Sequence, residues 1–409
     1  MADDPKTPSG VPQSVLELSA FNPAARDDPH PLLQSLQTHC PVMRDEAAKV
    51  WVLSRYKDIR DTVNDRTFVR HPMNADPESI TARLVEEGRE RRTSILFLDD
   101  PDHARIRQPL AKAFYARINR MRLEIEAMVD RVIDAAPASG AFDLMEQVAV
   151  PLPVLVIARM IGVDEARLPD FRQWSEDVIL GLNPVRTPEE NARMISSGEA
   201  LDAYFSELMQ ARRRAPKDDL VTDMVQLQAS GDAKVADDEV CLNLQALLVG
   251  GNLTTTDLIG NGIWLLLNHP EQAAALRANP DLAAQAVEEV LRYEAPVQVT
   301  SRIVEQDRTV AGCPMHKSQP VFMSLAAANR DPEVFEAPQA FDITKKRASH
   351  IAFGGGPHIC IGAPLARIEA RHAFVKLLAR YPDLRLPEQD LVWRTLPFFR
   401  GLEKLIVEA

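Results

Sequence analysis

Cysteine is scarce in this chain, with four among 409 residues: Cys40, Cys241, Cys313 and Cys360. None is spaced C-x-x-C, so neither a zinc module nor a disulfide framework is indicated, and a reducing cytoplasm fits. A basic excess is lacking too. The 47 lysines and arginines are outnumbered by 59 acidic residues, for a net charge of −12, which argues against nucleic acid as a partner. No run approaches the ~20 apolar residues of a membrane span. The opening stretch MADDPKTPSGVPQSVLELSAFNP lacks the basic start and apolar core of a secretory signal. No repeat, low-complexity tract or long linker divides the chain. Residues 1–28 read as an irregular lead-in and 29–409 as a single domain. That length can bury a core around a bulky group.

Helical periodicity dominates from Asp102 to Leu267. HARIRQPLAKAFYARINRMRLEIEAMVDRVIDAA is expected as two helices. LMEQVAVPLPVLVIARMIGV tolerates Pro151 and Pro153 in its first turn. ADDEVCLNLQALLVGGNLTTTDLIGNGIWLLLNH predicts a helix about 45 Å long, apolar all round and therefore central. Residues 66–98 read as a long irregular connection, with Glu86 to Arg92 a solvated charged face. Val50 to Leu53 is β-like, and β-character returns only after Pro296. The expected class is mainly α with a small β region.

Near the C-terminus, Phe353 to Gly362 spell FGGGPHICIG. Gly354 to Gly356 place bare backbone where a close approach or positive φ is needed. Cys360 then starts a helix, where the positive end of the dipole favours its thiolate and lowers its pKa. A thiolate so placed suits a soft or redox-active metal. Upstream, Glu289 and Arg292 share a helix face, as do His103 and Arg107. Gly250 and Gly251 in the long helix cost about 1 kcal/mol each relative to alanine, and Thr254 follows them. Close passage over a flat group explains that cost.

The spacing Phe353-x-x-Gly356-x-His358-x-Cys360-x-Gly362 strongly resembles the haem-binding loop of the cytochrome P450 family. The resemblance runs from about Phe21 to Leu405, with the other landmarks in the family's order. It implies a cytochrome P450 fold with a long central helix over haem b, and Cys360 as the axial thiolate and only metal ligand. It further implies His358, His103, Arg107 and Arg302 at the propionates, with Phe353 and Gly251 also against the cofactor. Thr254 matches the threonine that assists oxygen activation, but Leu253 stands where relatives carry an acid. Thr255, Asn252, Asp257 or ordered water are the alternatives for moving protons. In the Glu289–Arg292 network, Lys345 stands where relatives have arginine; it lacks a bidentate fork, and Arg347 is the alternative.

The activity implied is a monooxygenase using O2 on a hydrophobic small molecule. A ferredoxin with its NAD(P)H-dependent reductase would supply electrons, and no membrane anchor would be present. Lys112, Arg117, Lys345, Lys346, Arg347, Arg367 and Arg371 are the candidate docking charges, and reduction is expected to slow with salt. Substrate contacts are expected from residues 66–98, Trp174 to Asn183, Ala246, Val249, Gly250, Val297, Val299 and Leu396 to Phe399. The alternatives are a peroxide-driven peroxygenase, a coupling or dehydration catalyst, a haem sensor without turnover, and a non-haem helical binding protein.

Overall fold

The apolar segment after Ala236 forms one helix, Asp237–Asn268. Asp237, Asp238 and Glu239 occupy its first turn, where the dipole favours acids. Pro270 follows its C-cap, His269, and begins the next helix. The computed structural model describes residues 10–84 and 93–409, and this helix crosses the middle of it, buried on nearly every side. A Cβ added at Gly262 would lie 2.1 Å from Phe374 Cζ, so bare backbone there lets the helix Ala363–Arg380 pack directly against it.

The segment expected as two helices is one, Asp102–Ala135, with Pro109 inside. Its stripe of Ile106, Leu110, Phe114, Ile118, Met121, Ile125 and Val129 stays buried throughout. Continuous packing therefore outweighs the one backbone bond that proline removes. Pro151 opens Pro151–Ile161 at its first position, after a wide turn at Met145–Ala149. Leu168–Val178 and Pro188–Arg214 form a roof over the central helix.

A five-stranded sheet runs in the order Val42–Asp45, Val50–Leu53, Pro320–Ser324, Val299–Val304, Phe68–Val69. Val42–Asp45 escapes sequence reading because VMRD is too short to show a pattern; its pairing with Val50–Leu53 makes it a strand. Small two-stranded sheets join Arg308–Val310 to Cys313–Met315, Val392–Trp393 to Leu402–Lys404, and Ala141–Asp143 to Ile406–Glu408. The architecture is mainly α with a small β region.

Two stretches are more ordered than expected. Within the lead-in, Pro23–Asp27 is a short helix, and Val15 and Leu18 are buried beside Leu33 and Leu36. The Asp45 carboxylate holds them by accepting from Ser14 Oγ and the Val15 N–H, both at 2.8 Å. Within 66–98, Phe68–Val69 joins the sheet and Pro72–Asn74 and Ile80–Leu84 form short turns. The charged face from Glu86 to Arg92 lies outside the described residues. Among those described, no helix is long and apolar enough to cross a membrane.

Candidate functional site

Cys360 is held by a turn that only glycine can make. Gly356 has φ +62°, and a Cβ there would sit 2.2 Å from the Val63 carbonyl oxygen. The helix Tyr56–Asn64 thus presses directly on the loop. The Cys360 N–H donates to Phe353 O at 3.0 Å, and Gly362 and Ala363 N–H groups donate to its sulfur. The sulfur opens onto a cavity and is enclosed elsewhere. Contrary to the helix-dipole expectation, its pKa is raised. Burial is the largest cause and outweighs the two N–H groups, Arg107 and Arg367. A bound metal is what would make it a thiolate.

Beside the sulfur lies a cluster of basic side chains in which arginines outweigh the nearest acids, Asp99 and Asp100, the latter 3.8 Å from His103 Nδ1. The His103 and His358 rings lie 4.2 Å apart, and Arg107 donates to Ile359 O. Arg302 is buried and donates to the Ser301 carbonyl. The structure adds Arg70, whose guanidinium lies over Phe97 and lines the same cavity. Burial pulls its pKa down to about 10 against the pull of Asp99. Asp99 itself accepts the Arg70 and His71 backbone N–H groups at 2.7 and 3.0 Å. His358 is pushed down to about 2 by burial, then by Arg70, Arg302, His103 and Arg107. Among the described residues, His103 Nε2 and His358 Nδ1 have no hydrogen-bond partner. Buried cations and orphan ring nitrogens of this kind call for a carboxylate-bearing ligand. A haem with two propionates fits. Sequence reading missed Arg70 because a lone arginine after a short strand belongs to no motif.

The cavity measures about 550 Å³ and reaches from Cys360 past Thr254 and Thr255 to the roof helices. Gly250 and Gly251 both line it. A Cβ at Gly250 would meet nothing, whereas one at Gly251 would touch Ile157 at 3.6 Å. Gly250 is thus the more open of the two, and Gly251, the residue expected against the cofactor, borders the cavity beside it. Thr254 Oγ1 donates to Gly250 O at 2.7 Å. Two expected proton carriers turn away from the cavity. Asn252 donates to Ser175 Oγ at 2.6 Å. Asp257 pairs with Arg394 at 3.2 Å, its pKa raised to about 6 chiefly by burial. Leu253 is half-buried and not in the lining either. Of the expected substrate contacts, Val178, Ile179, Gly181, Leu182, Ala246, Val249, Gly250, Val297, Val299, Phe398 and Phe399 contribute, whereas Trp174, Leu180, Leu396 and Pro397 do not.

Below the loop, both Arg292 contacts to Glu289 measure 2.8 Å. Arg347 completes the network at 3.0 Å, while Lys345 pairs with exposed Glu336. The same geometry shortens the set of docking charges. Arg117 is buried against Asp218 and Asp223, and Arg367 forks onto Glu288. Lys112, Lys346 and Arg371 remain exposed, without ion pairs among the described residues.

One buried acid stands apart. Glu369, on the helix after Cys360, has an orphan Oε2, and burial raises its pKa to about 8 from 4.5. Between those values the folded chain keeps a proton that the unfolded chain has lost. Its contribution to stability therefore falls as pH rises through that window. Glu369→Gln is expected to melt close to wild type at pH 5 and above it at pH 8. Parallel melting curves across that range would remove this assignment.

With the geometry in place, the family model "Cytochrome P450" matches residues 34–398. "Cytochrome P450 107B1" of Saccharopolyspora erythraea is 36% identical, the match covering 96% of this chain and 98% of that one. "Vitamin D(3) 25-hydroxylase" of Pseudonocardia autotrophica is 33% identical over 93% of each. The ligand-free crystal structure of Mycobacterium smegmatis CYP164A2 superposes with a TM-score of 0.87 at 34% identity, covering 97% of this chain and 100% of that one.

Proposed function

The chain belongs to the cytochrome P450 family of haem-thiolate oxidoreductases, and from that premise we propose that Cys360 is its axial ligand. Its reaction on this reading inserts one oxygen atom from O2 into a hydrophobic small molecule. The observation that carries the reading is the cluster of buried arginines and orphan histidine nitrogens beside an open cysteine sulfur. Arg70, His103, Arg107, Arg302 and His358 hold the propionates; charged hydrogen bonds to carboxylates are the strong ones. When bound, the haem supplies oxygen activation, its thiolate pushing electron density to favour O–O cleavage.

The chain's own residues do the rest. Thr254 has its proton engaged by Gly250 O, so its oxygen accepts from a cavity water and orients it. Thr255 offers a second hydroxyl on the same wall. With Asn252 and Asp257 turned away, protons reach the site through these two hydroxyls and cavity water. The apolar wall of Ile179, Leu182, Val249, Val299, Phe398 and Phe399 selects a hydrophobic substrate and excludes bulk water. A relative named for hydroxylating vitamin D(3) supports that class. Electrons come from a ferredoxin and its NAD(P)H-dependent reductase, docking in the cytoplasm beside Lys112, Lys346 and Arg371.

A second reading, a peroxide-driven peroxygenase, rests on the absence of an acid at Leu253. Turnover with ferredoxin, reductase and NADH, set against turnover with hydrogen peroxide, separates the two. Wild type is expected to couple NADH use to product. Thr254→Ala keeps consuming NADH while product per NADH falls about tenfold or more. Unchanged coupling in Thr254→Ala removes the role given to that hydroxyl. Product from peroxide alone selects the second reading.

A further inference from the structure

Where the central helix meets the roof helix Pro188–Arg214, the described lining of the cavity includes a polar pair. Gln245 of the central helix donates its amide nitrogen to Asp202 Oδ1 at 2.5 Å and, more weakly, to Gly198 O at 3.5 Å. Asp202 and Gly198 belong to the roof helix Pro188–Arg214, and all three residues line the cavity. An ionised carboxylate only accepts hydrogen bonds, so Asp202 fixes which way the Gln245 amide faces. Its nitrogen points to the roof. Its oxygen is left as an acceptor, and no hydrogen bond to it is made among the described residues. Gln245 is otherwise buried, so the cavity is where that oxygen can find a donor. An amide oxygen that opens into a largely apolar cavity has few donors to meet, and a ligand that supplies one gains.

We propose that Gln245, locked by Asp202, anchors the substrate through a hydroxyl or N–H donor at the end remote from the reacting carbon. The proposal rests on the haem reading above and adds a substrate class to it. Gln245 precedes Thr254 by two and a half helical turns, roughly 13 Å along the axis. The substrate is therefore an extended apolar molecule with a donor group roughly that distance from the position oxidised. An acceptor-only group, such as a ketone at the same place, faces an acceptor and gains nothing.

The probes are 5α-androstane as the 3-alcohol, the 3-ketone and the parent hydrocarbon, and tetradecane as the 2-alcohol, the 2-ketone and the parent hydrocarbon. Binding to the haem-loaded full chain is read by Soret shift and, independently of any haem signal, by calorimetry. On at least one frame the alcohol is expected to bind about three- to tenfold tighter than the ketone. Gln245→Leu should erase that preference while leaving the hydrocarbon unchanged. Asp202→Asn, which alters no cavity volume and unlocks the amide, should reduce it as well. An alcohol preference absent from wild type on both frames, or retained in Gln245→Leu, overturns the proposal. Failure of the haem reading would show separately, as a missing thiolate–carbon monoxide band with the calorimetric preference intact.

Discussion

Arg292→Leu is expected to lower the unfolding free energy by about 3–5 kcal/mol, the usual cost of breaking a buried ion pair from one side. Arg292 and Glu289 are almost fully buried. Arg292 also donates to the carbonyls of Asn329, Pro338 and Ala340, and since Arg347 also serves Ala340, one substitution leaves two carbonyls and part of a carboxylate unmatched. Arg347 cannot take over, because its own fork already serves Glu289 and the Ala340 and Glu336 carbonyls. The segment held this way, Asn329 to Ala340, leads into the cysteine loop, so haem retention should fall with stability. Lys345→Ala is the control: its partner Glu336 is exposed, and exposed pairs contribute about 0–1 kcal/mol. Urea denaturation checks both. A loss under about 1 kcal/mol for Arg292→Leu would mean the network is not what holds this region.

Arg302→Leu should act with opposite sign on the two forms of the protein. Without a bound carboxylate, Arg302 is a buried cation beside Arg70, its pKa held well below the usual range by burial first and by that neighbour second. Removing it relieves a desolvation penalty and a repulsion, so the haem-free chain should melt higher than wild type. In the haem-loaded protein the same change removes a charged hydrogen bond, worth about 1.5–3 kcal/mol. Haem loss to an acceptor protein should then be about ten- to a hundredfold faster. Arg70→Leu should behave alike. If both forms were destabilised together, Arg302 would be a structural cation and not part of a cofactor cradle.

The cysteine loop could be read from the chain alone because its constraint is local: three glycines, a proline and a cysteine at fixed spacing describe one turn. The central helix was legible for a similar reason, its apolar positions being continuous over its whole length. What escaped depends on distant partners. Nothing in FVRH shows that Arg70 will meet His358, since the sheet and the loop bring them together across nearly three hundred residues. Local pattern also misdirects. Asn252 and Asp257 flank Thr254 in sequence, but the helix carries their side chains to Ser175 and Arg394, away from the cavity. The dipole argument for Cys360 was sound in sign and too small, because burial is set by the whole fold and acts the other way. Arg347 won over Lys345 on geometry: its planar fork reaches a buried carboxylate that an ammonium two residues earlier does not.

The central claim is that Cys360 holds a haem iron. The most direct test is a carbon monoxide difference spectrum of the reduced protein, wild type against Cys360→Ser. The account predicts the band characteristic of a thiolate ligand in wild type and its loss in Cys360→Ser. A wild-type protein without that band, or a variant that keeps it, would contradict the claim.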